Sequence, residues 1–266
     1  MKFWKYCAAG NDFILLDHRP SNLDLIDIAK LCDRRFGIGA DGLLIVDQST
    51  ESLDFKMTYF NADGGEVEMC GNGARSCAHW YYLQTKKTQM EFVTNKGSIY
   101  QAKYISEGKA EVSMDELSDE EMIKTNDFYP HLESIYMNTG VPHTVVLLNK
   151  EDDLEDFRWM ADAPNLRADK RFSKGCNINF IQLVNTNEIN LRTFERGVEA
   201  ETLACGTGAV AAARFMNKKL GLKKIKINAR GGLLEVNFID GKCWLAGPVQ
   251  NTYIGDISLS DFLTQK

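Results

Sequence analysis

Short apolar runs alternate with polar and glycine-containing breaks along this chain, and only a few segments carry a helical period. Runs rich in β-branched and aromatic residues predict strands over 13–17, 43–47, 91–94 and 98–104 in the first half. The second half gives the same signal at 144–148, 178–184, 189–194, 224–228 and 233–239. A helix is expected over 23–36, with Leu25, Ile28, Ala29 and Cys32 on one face and Gly37 just past its end. Two longer helices are expected from residue 70 or 71 to about 85 and from 205 to about 220, the second closed by Gly221.

The elements recur because the chain repeats itself once. Met69-Cys70-Gly71-Asn72-Gly73-Ala74 has a partner in Ala204-Cys205-Gly206-Thr207-Gly208-Ala209, and Ala78 and Ala213 follow at the same distance. The two cysteines lie 135 residues apart, and FVTNKG at 92–97 aligns with INARGG at 227–232 with the same offset. Arg35-Phe36 aligns with Arg171-Phe172 at an offset of 136, and residues 10–16 have a looser echo at 140–146. A period this long is not a solenoid repeat; it indicates a duplicated domain. The charged stretch 115–126 is the expected boundary, giving an N-terminal half, 1–118, and a C-terminal half, 119–252.

Composition narrows the function classes. With 266 residues, 44% hydrophobic and 26% charged, the chain is ordinary globular material. A net charge of −6 and a pI near 5.4 leave no basic footprint for nucleic acid. The pairs Lys86-Lys87, Lys218-Lys219 and Lys223-Lys224 fall where helices should end, a favourable place for cations. Lys5 and Asp12 interrupt any signal-peptide core, and no apolar stretch approaches a membrane span, so a cytoplasmic protein without a membrane partner is expected.

The seven cysteines are Cys7, Cys32, Cys70, Cys77, Cys176, Cys205 and Cys243. An odd number without a secretion signal argues against a disulfide framework, and no zinc-ligand spacing is present. Cys70 and Cys205 stand apart because each is expected at a helix N-terminus, where unpaired N–H groups and the helix dipole favour a thiolate. Glycines at 71, 73, 206 and 208 would let a ligand approach the backbone. Paired halves imply a symmetric cleft in which both helix ends hold one carboxylate. That suits inversion at the carbon beside the carboxylate: a thiolate on one face removes the proton and a thiol on the other returns one. Cys77 lies two turns into the same helix, and packing is the better reading for it and for the four unrepeated cysteines.

These residues carry a family resemblance. Asn61-Ala62-Asp63-Gly64, followed by Glu66-Val67-Glu68-Met69-Cys70-Gly71-Asn72-Gly73-Ala74-Arg75, resembles the signature of diaminopimelate epimerases. So does Glu195-Arg196-Gly197-Val198 running to Glu201-Thr202-Leu203-Ala204-Cys205-Gly206-Thr207-Gly208; Gly10-Asn11-Asp12-Phe13 and Asn177-Ile178-Asn179-Phe180 also match. Proline racemases are similar in fold and mechanism, but typically carry His where Asn72 stands and lack the E-R-G stretch.

The resemblance implies an α/β (α+β) fold of two homologous domains, each a mixed, barrel-like sheet around a central helix, with the site in the interdomain cleft. Residues 253–266 would then return to the first half. It implies interconversion of LL- and meso-diaminopimelate, in lysine and peptidoglycan precursor synthesis, with no cofactor: neither pyridoxal phosphate nor metal. Cys70 and Cys205 would be the two bases. Gly71, Asn72, Gly206 and Thr207 would bind the reacting carboxylate, and Asn11, Asn61, Asn177, Glu195 and Arg196 the rest of the substrate. His143 would support the site. The partner is a small-molecule substrate, and a homodimer is left open.

On the residues alone, Asn11, Asn61 and Asn177 also read as turn formers, Glu195-Arg196 as a surface ion pair, and His143 as a buried, satisfied histidine. Gly42 stands where some members have Gln, and Val141 where some have Asn, so neither offers that side-chain contact. The opening Lys5-Tyr6-Cys7-Ala8-Ala9-Gly10 also departs from the usual form. Two other readings keep the cysteines: an epimerase for a different amino acid, and a non-enzymatic thiol redox or binding protein.

Overall fold

The computed structural model describes residues 1–49, 52–114, 118–121, 129, 131–172 and 175–264. Apart from 118–121, the expected boundary stretch 115–126 lies outside the described residues. In chain order the elements are β1 (Lys2–Ala8), β2 (Asn11–Leu16), α1 (Ile28–Cys32), β3 (Gly42–Asp47), β4 (Phe55–Asn61), β5 (Glu66–Val67), α2 (Gly71–Thr85), β6 (Gln89–Thr94), β7 (Ile99–Ser106), β8 (Lys109–Met114) and β9 (Ser118–Glu121). They continue with β10 (Glu133–Asn138), β11 (Pro142–Leu147), α3 (Arg158–Arg167), β12 (Asn177–Asn185), β13 (Glu188–Glu195), β14 (Ala200–Thr202), α4 (Gly206–Leu220), β15 (Lys224–Ala229), β16 (Gly232–Ile239), β17 (Lys242–Pro248) and β18 (Gln250–Asp256).

The chain forms two compact units. Unit 1 is Met1–Ser113 with Gly247–Lys266, and unit 2 is Met114–Ala246. In unit 1 the strands pair in the order β18-β1-β2-β3-β4-β6-β7-β8, antiparallel except at β2·β3 and β4·β6. In unit 2 the order is β9-β10-β11-β12-β13-β15-β16-β17, antiparallel except at β11·β12 and β13·β15. The short β5 and β14 sit on β4 and β13 in the same way. The repeat read from the sequence is therefore a repeat of topology, strand for strand.

Each sheet packs around one helix. α2 touches β1, β2, β3, β4, β7 and β18, and α4 touches β10, β11, β12, β13, β15 and β16. Enclosure on all sides leaves residues 71–80 of α2 all buried, and 208–213 of α4 likewise. Strands covered on both faces read as continuous apolar runs, as in residues 13–16 of β2 and 42–46 of β3. β6 and β15 alternate buried and exposed positions at their starts, as strands with one solvated face do. On the outer face of unit 1, α1 closes a core with Ile14, Leu16, Leu43 and Ile45; in unit 2, Trp159, Ala163 and Leu166 of α3 do so with Val146, Ile178 and Phe180.

The helix expected over 23–36 is broken. A 3-10 turn covers Leu23–Leu25, and α1 runs only from Ile28 to Cys32. Two aspartates divert the backbone. Asp27 takes an extended conformation and caps the Lys30 N–H, while Asp33 leaves the helix and accepts the N–H groups of Arg35 and Phe36, both at 2.7 Å. Short acidic side chains compete in this way with helix hydrogen bonds.

The two long helices end alike but not with equal ease. Gly221 closes α4 at φ 71°, and Lys86 closes α2 at φ 63°. A side chain in the left-handed region costs about 1 kcal/mol that glycine does not. Lys86→Gly should therefore stabilise the protein by about 0.5–1 kcal/mol, read as a higher urea midpoint. A lower midpoint would mean that the Lys86 ammonium, 5.5 Å from the Tyr82 ring centroid, contributes more than the strain costs.

Candidate active site

Cys70 is the N-cap of α2. Its backbone is extended (φ −137°, ψ 113°), and its sulfur accepts the Gly73 N–H at 3.4 Å. The sulfur thus stands where Ser or Asp oxygens usually cap a helix, within the positive end of the dipole. Asn11 is brought beside it by the β1–β2 hairpin, whose two turn residues, Ala9 and Gly10, both have positive φ (54° and 80°). Asn11 Nδ2 donates to Asp41 at 2.8 Å, and Asn11 Oδ1 accepts from Asn72 Nδ2 at 3.2 Å and lies 3.9 Å from Cys70 Sγ. Asp41 is held in turn by Arg34 and by the Asp12 N–H. Burial works to raise the Asp12 pKa, but hydrogen bonds from Arg34 and Lys5 hold it down to about 2.

Cys205 is the N-cap of α4, again with extended backbone (φ −111°, ψ 114°), and is 6% exposed. Here the sulfur lies 3.4 Å from Thr207 Oγ1. Behind Thr207 stands His143 of β11, fully buried, with Nε2 3.0 Å from Thr207 Oγ1 and Nδ1 3.0 Å from Asn179 Nδ2. Asn179 has a fixed orientation: Nδ2 also donates to the Thr144 carbonyl and Oδ1 accepts the Thr193 hydroxyl, each at 3.0 Å. Nδ1 of His143 is therefore the acceptor, which assigns the proton to Nε2 and directs it to Thr207. The Thr207 hydroxyl thus lies between His143 Nε2 and Cys205 Sγ. Burial, reinforced by the Arg196 charge, pushes His143 down to about 3, so the ring is neutral at physiological pH.

The second glycine of each cysteine-glycine motif has a packing task. A Cβ on Gly73 would lie 2.8 Å from Leu44 Cδ2, and one on Gly208 would lie 2.4 Å from Asn179 Oδ1. These two glycines allow the close approach of helix and sheet. Gly71, Asn72 and Gly206 are buried and Thr207 half-buried at the helix starts. Asn177 is buried; its Nδ2 donates to the Pro142 carbonyl at 3.0 Å and its Oδ1 accepts the Arg196 N–H at 2.8 Å. Glu195 and Arg196 are half-buried at the end of β13, and Glu195 Oε2 accepts the Thr202 hydroxyl at 2.9 Å. Asn61 is exposed at the end of β4.

At Gly42 a Cβ would lie 2.6 Å from the Tyr59 ring and 2.4 Å from the Phe60 carbonyl, so the buried Tyr59 fills the space a larger residue would need. Burial pushes the Cys32 and Cys243 thiols up to about 12 and Cys176 to about 11, and raises Cys77, so all four remain thiols. Asn179, Thr193 and Arg75 were not singled out from the sequence. Asn179 was within reach, because alternate residues of a strand share a face and Asn177 lies two positions earlier. Among the described residues no group of three or more His, Cys, Asp or Glu side chains is placed to hold a metal ion, and no helix is long and apolar enough to cross a membrane.

Two copies of one strand-and-helix unit, each opening its buried helix on a cysteine, define a duplicated α/β fold that solved proteins share. A phenazine biosynthesis protein of the PhzF family from Enterococcus faecalis matches with a TM-score of 0.72 at 14% identity, covering 97% of this chain and 98% of that one. A hydroxyproline epimerase from Agrobacterium vitis, with bound trans-4-hydroxy-L-proline, matches at 0.67 and 11% identity over 97% and 90%. The family model described as diaminopimelate epimerase matches residues 3–118 and 135–250. A diaminopimelate epimerase from Flavobacterium psychrophilum is 37% identical over 264 residues, covering 94% of this chain and 97% of the relative. The chain belongs to the diaminopimelate epimerase family and is an enzyme of the isomerase class.

Two outcomes follow for the Cys205 side. Gly208→Ala should cost about 1–3 kcal/mol of unfolding free energy, because Asn179 is fixed by three hydrogen bonds and cannot yield easily; an unchanged denaturation midpoint would show that β12 gives way. His143 has a folded-state pKa below its unfolded value of 6.5. Its contribution is therefore complete above about pH 6.5 and is lost as pH falls toward its folded pKa. Wild type should lose stability over that window more steeply than His143→Asn, by up to about 1.4 kcal/mol per pH unit. Equal slopes in denaturant titrations would refute a buried neutral imidazole.

Proposed function

We propose that this enzyme interconverts LL- and meso-diaminopimelate with Cys70 and Cys205 as the two acid–base groups, acting on opposite faces of one substrate carbon. The observation that carries the reading is the equivalent placement of the two cysteines as N-caps of α2 and α4. One thiolate takes the α-hydrogen as a proton and becomes a thiol. The electron pair left on the carbon is delocalised into the adjacent carboxylate, where N–H groups at the two helix starts, from Gly71 and Asn72 and from Gly206 and Thr207, stabilise the growing charge. The thiol on the other face delivers its proton to the carbon and becomes the thiolate. The reverse reaction exchanges the roles, which is why two groups of one type are needed.

The remaining polar residues are assigned to recognition. Arg196 offers a planar fork for a distal carboxylate, Glu195 a charge for an ammonium group, and Asn11, Asn61 and Asn177 further hydrogen bonds. His143, buried and neutral, orients Thr207 and takes no proton from the substrate. The product would feed lysine and peptidoglycan precursor synthesis.

Deuterium uptake at the α-carbon of LL-diaminopimelate in heavy water, with thiol reductant, tests this directly. Wild type should incorporate deuterium, and Cys70→Ala and Cys205→Ala should each reduce epimerisation by at least about 100-fold. Arg196→Ala should raise KM. Uptake by wild type with another amino acid only, and unchanged KM in Arg196→Ala, would replace diaminopimelate as the substrate. No uptake with any amino acid would remove the acid–base reading.

A further inference from the structure

The first turn of α2 presses on the unit 1 sheet at Leu44, since a Cβ on Gly73 would meet Leu44 Cδ2 at 2.8 Å. Leu44 pairs in register with Tyr59, and Gly42 pairs with Phe13 on one side and Asn61 on the other. Residues that are paired across strands, or two apart along one, share a face of a sheet. Phe13, Gly42, Tyr59 and Asn61 therefore all lie on the face that carries α2. Gly42 leaves one position in this row without a side chain, and Tyr59 takes it. Tyr59 Cε2 stands 2.6 Å, and the hydroxyl oxygen 3.2 Å, from where a Gly42 Cβ would be. The ring meets Phe13 edge-on, with centroids 5.9 Å apart. The side chain thus leans along the sheet from the level of Leu44 to the level of Gly42 and carries its hydroxyl there. At that end Asn61 closes β4, Asp41 next to Gly42 holds Asn11, and Asn11 Oδ1 lies 3.9 Å from Cys70 Sγ.

The second unit carries a polar side chain at the equivalent position. Asn179 stands where Leu44 does: it meets Gly208 as Leu44 meets Gly73, and it pairs with Thr193 as Leu44 pairs with Tyr59. Two residues earlier in each strand are Asn177 and Gly42, an amide in one unit and no side chain in the other. Thr193, the counterpart of Tyr59, spends its hydroxyl on Asn179 Oδ1 at 3.0 Å. Unit 1 also places a polar atom at this position, but supplies it from the neighbouring strand. Packing alone does not call for that atom, because a phenylalanine ring would fill the same space. Tyr59 is 6% exposed, as is Cys205. A phenol is both donor and acceptor, so it can bond the protein and a ligand at once.

We propose that Tyr59 is a substrate-contacting, specificity-determining residue. Its hydroxyl hydrogen-bonds a charged group of the amino-acid substrate, in place of the side chain that Gly42 lacks. With its ring fixed against Phe13 and the Gly42 backbone, the hydroxyl is held in advance and little ordering is lost on binding.

This inference rests on the epimerase reading, and its test separates the two. Tyr59→Phe keeps the ring and its contact with Phe13 and removes only the hydroxyl. In epimerisation of LL-diaminopimelate its KM should rise about tenfold or more, the size of a lost hydrogen bond to a charged group, with kcat within about threefold of wild type and the urea midpoint unchanged. Loss of a bond that serves only the protein would lower the midpoint and leave KM in place. An unmoved KM overturns the proposal, as does a KM that rises only together with a lower midpoint. If wild type takes up deuterium with another amino acid only, the same comparison is made with that substrate. No uptake by wild type with any amino acid removes the epimerase reading and this inference with it, whereas turnover with equal KM values removes this inference alone.

Discussion

A helix enclosed by its own sheet must end somewhere that its free N–H groups are satisfied. In both units a cysteine holds the N-cap position of the enclosed helix; Cys70 Sγ accepts the Gly73 N–H, whereas Cys205 makes no side-chain capping bond. Most other features of the two half-sites follow from that constraint. Gly73 and Gly208 are needed because the first turn presses on Leu44 and Asn179. The alanines at 209 and 211–213 are needed because strands surround the helix.

The duplication conserves backbone and lets side chains diverge. Cys70 accepts the Gly73 N–H and faces Asn11 Oδ1, with the Asn72 and Asn11 amides locked in series toward Asp41. Cys205 is backed by a hydroxyl, a neutral imidazole and an amide in series. The two cysteine sulfurs are thus given unlike environments.

The sequence carried the long helices, nine of the strands and the repeat, because those rest on local apolar runs and on a motif with few alternatives. It did not carry a helix over 23–36, where Asp27 and Asp33 each bond the backbone and outweigh the period. Nor did it suggest α3, whose internal Pro164 reads as a breaker, or β18, whose residues are mostly exposed or half-buried and give no alternation. The site was legible where residues are adjacent in the chain, as in the two cysteine motifs. It was illegible where strand pairing brings partners together, since Asn179 meets His143 only because β11 and β12 lie parallel in register.

The ends of the chain add a last asymmetry. The segment after β8 supplies β9 to unit 2, and the segment after β17 supplies β18 to unit 1. Unit 2 is therefore one continuous stretch, whereas unit 1 needs its C-terminal strand to pair with β1: Lys2 meets Asp256, and Trp4 meets Ile254. That pairing also covers a strand edge that would otherwise be exposed. Closing so long a loop carries an entropic cost that no local contact offsets in advance. α2 touches both β1 and β18, so the enclosure that positions Cys70 is completed by the last strand of the chain, while that of Cys205 is complete without it.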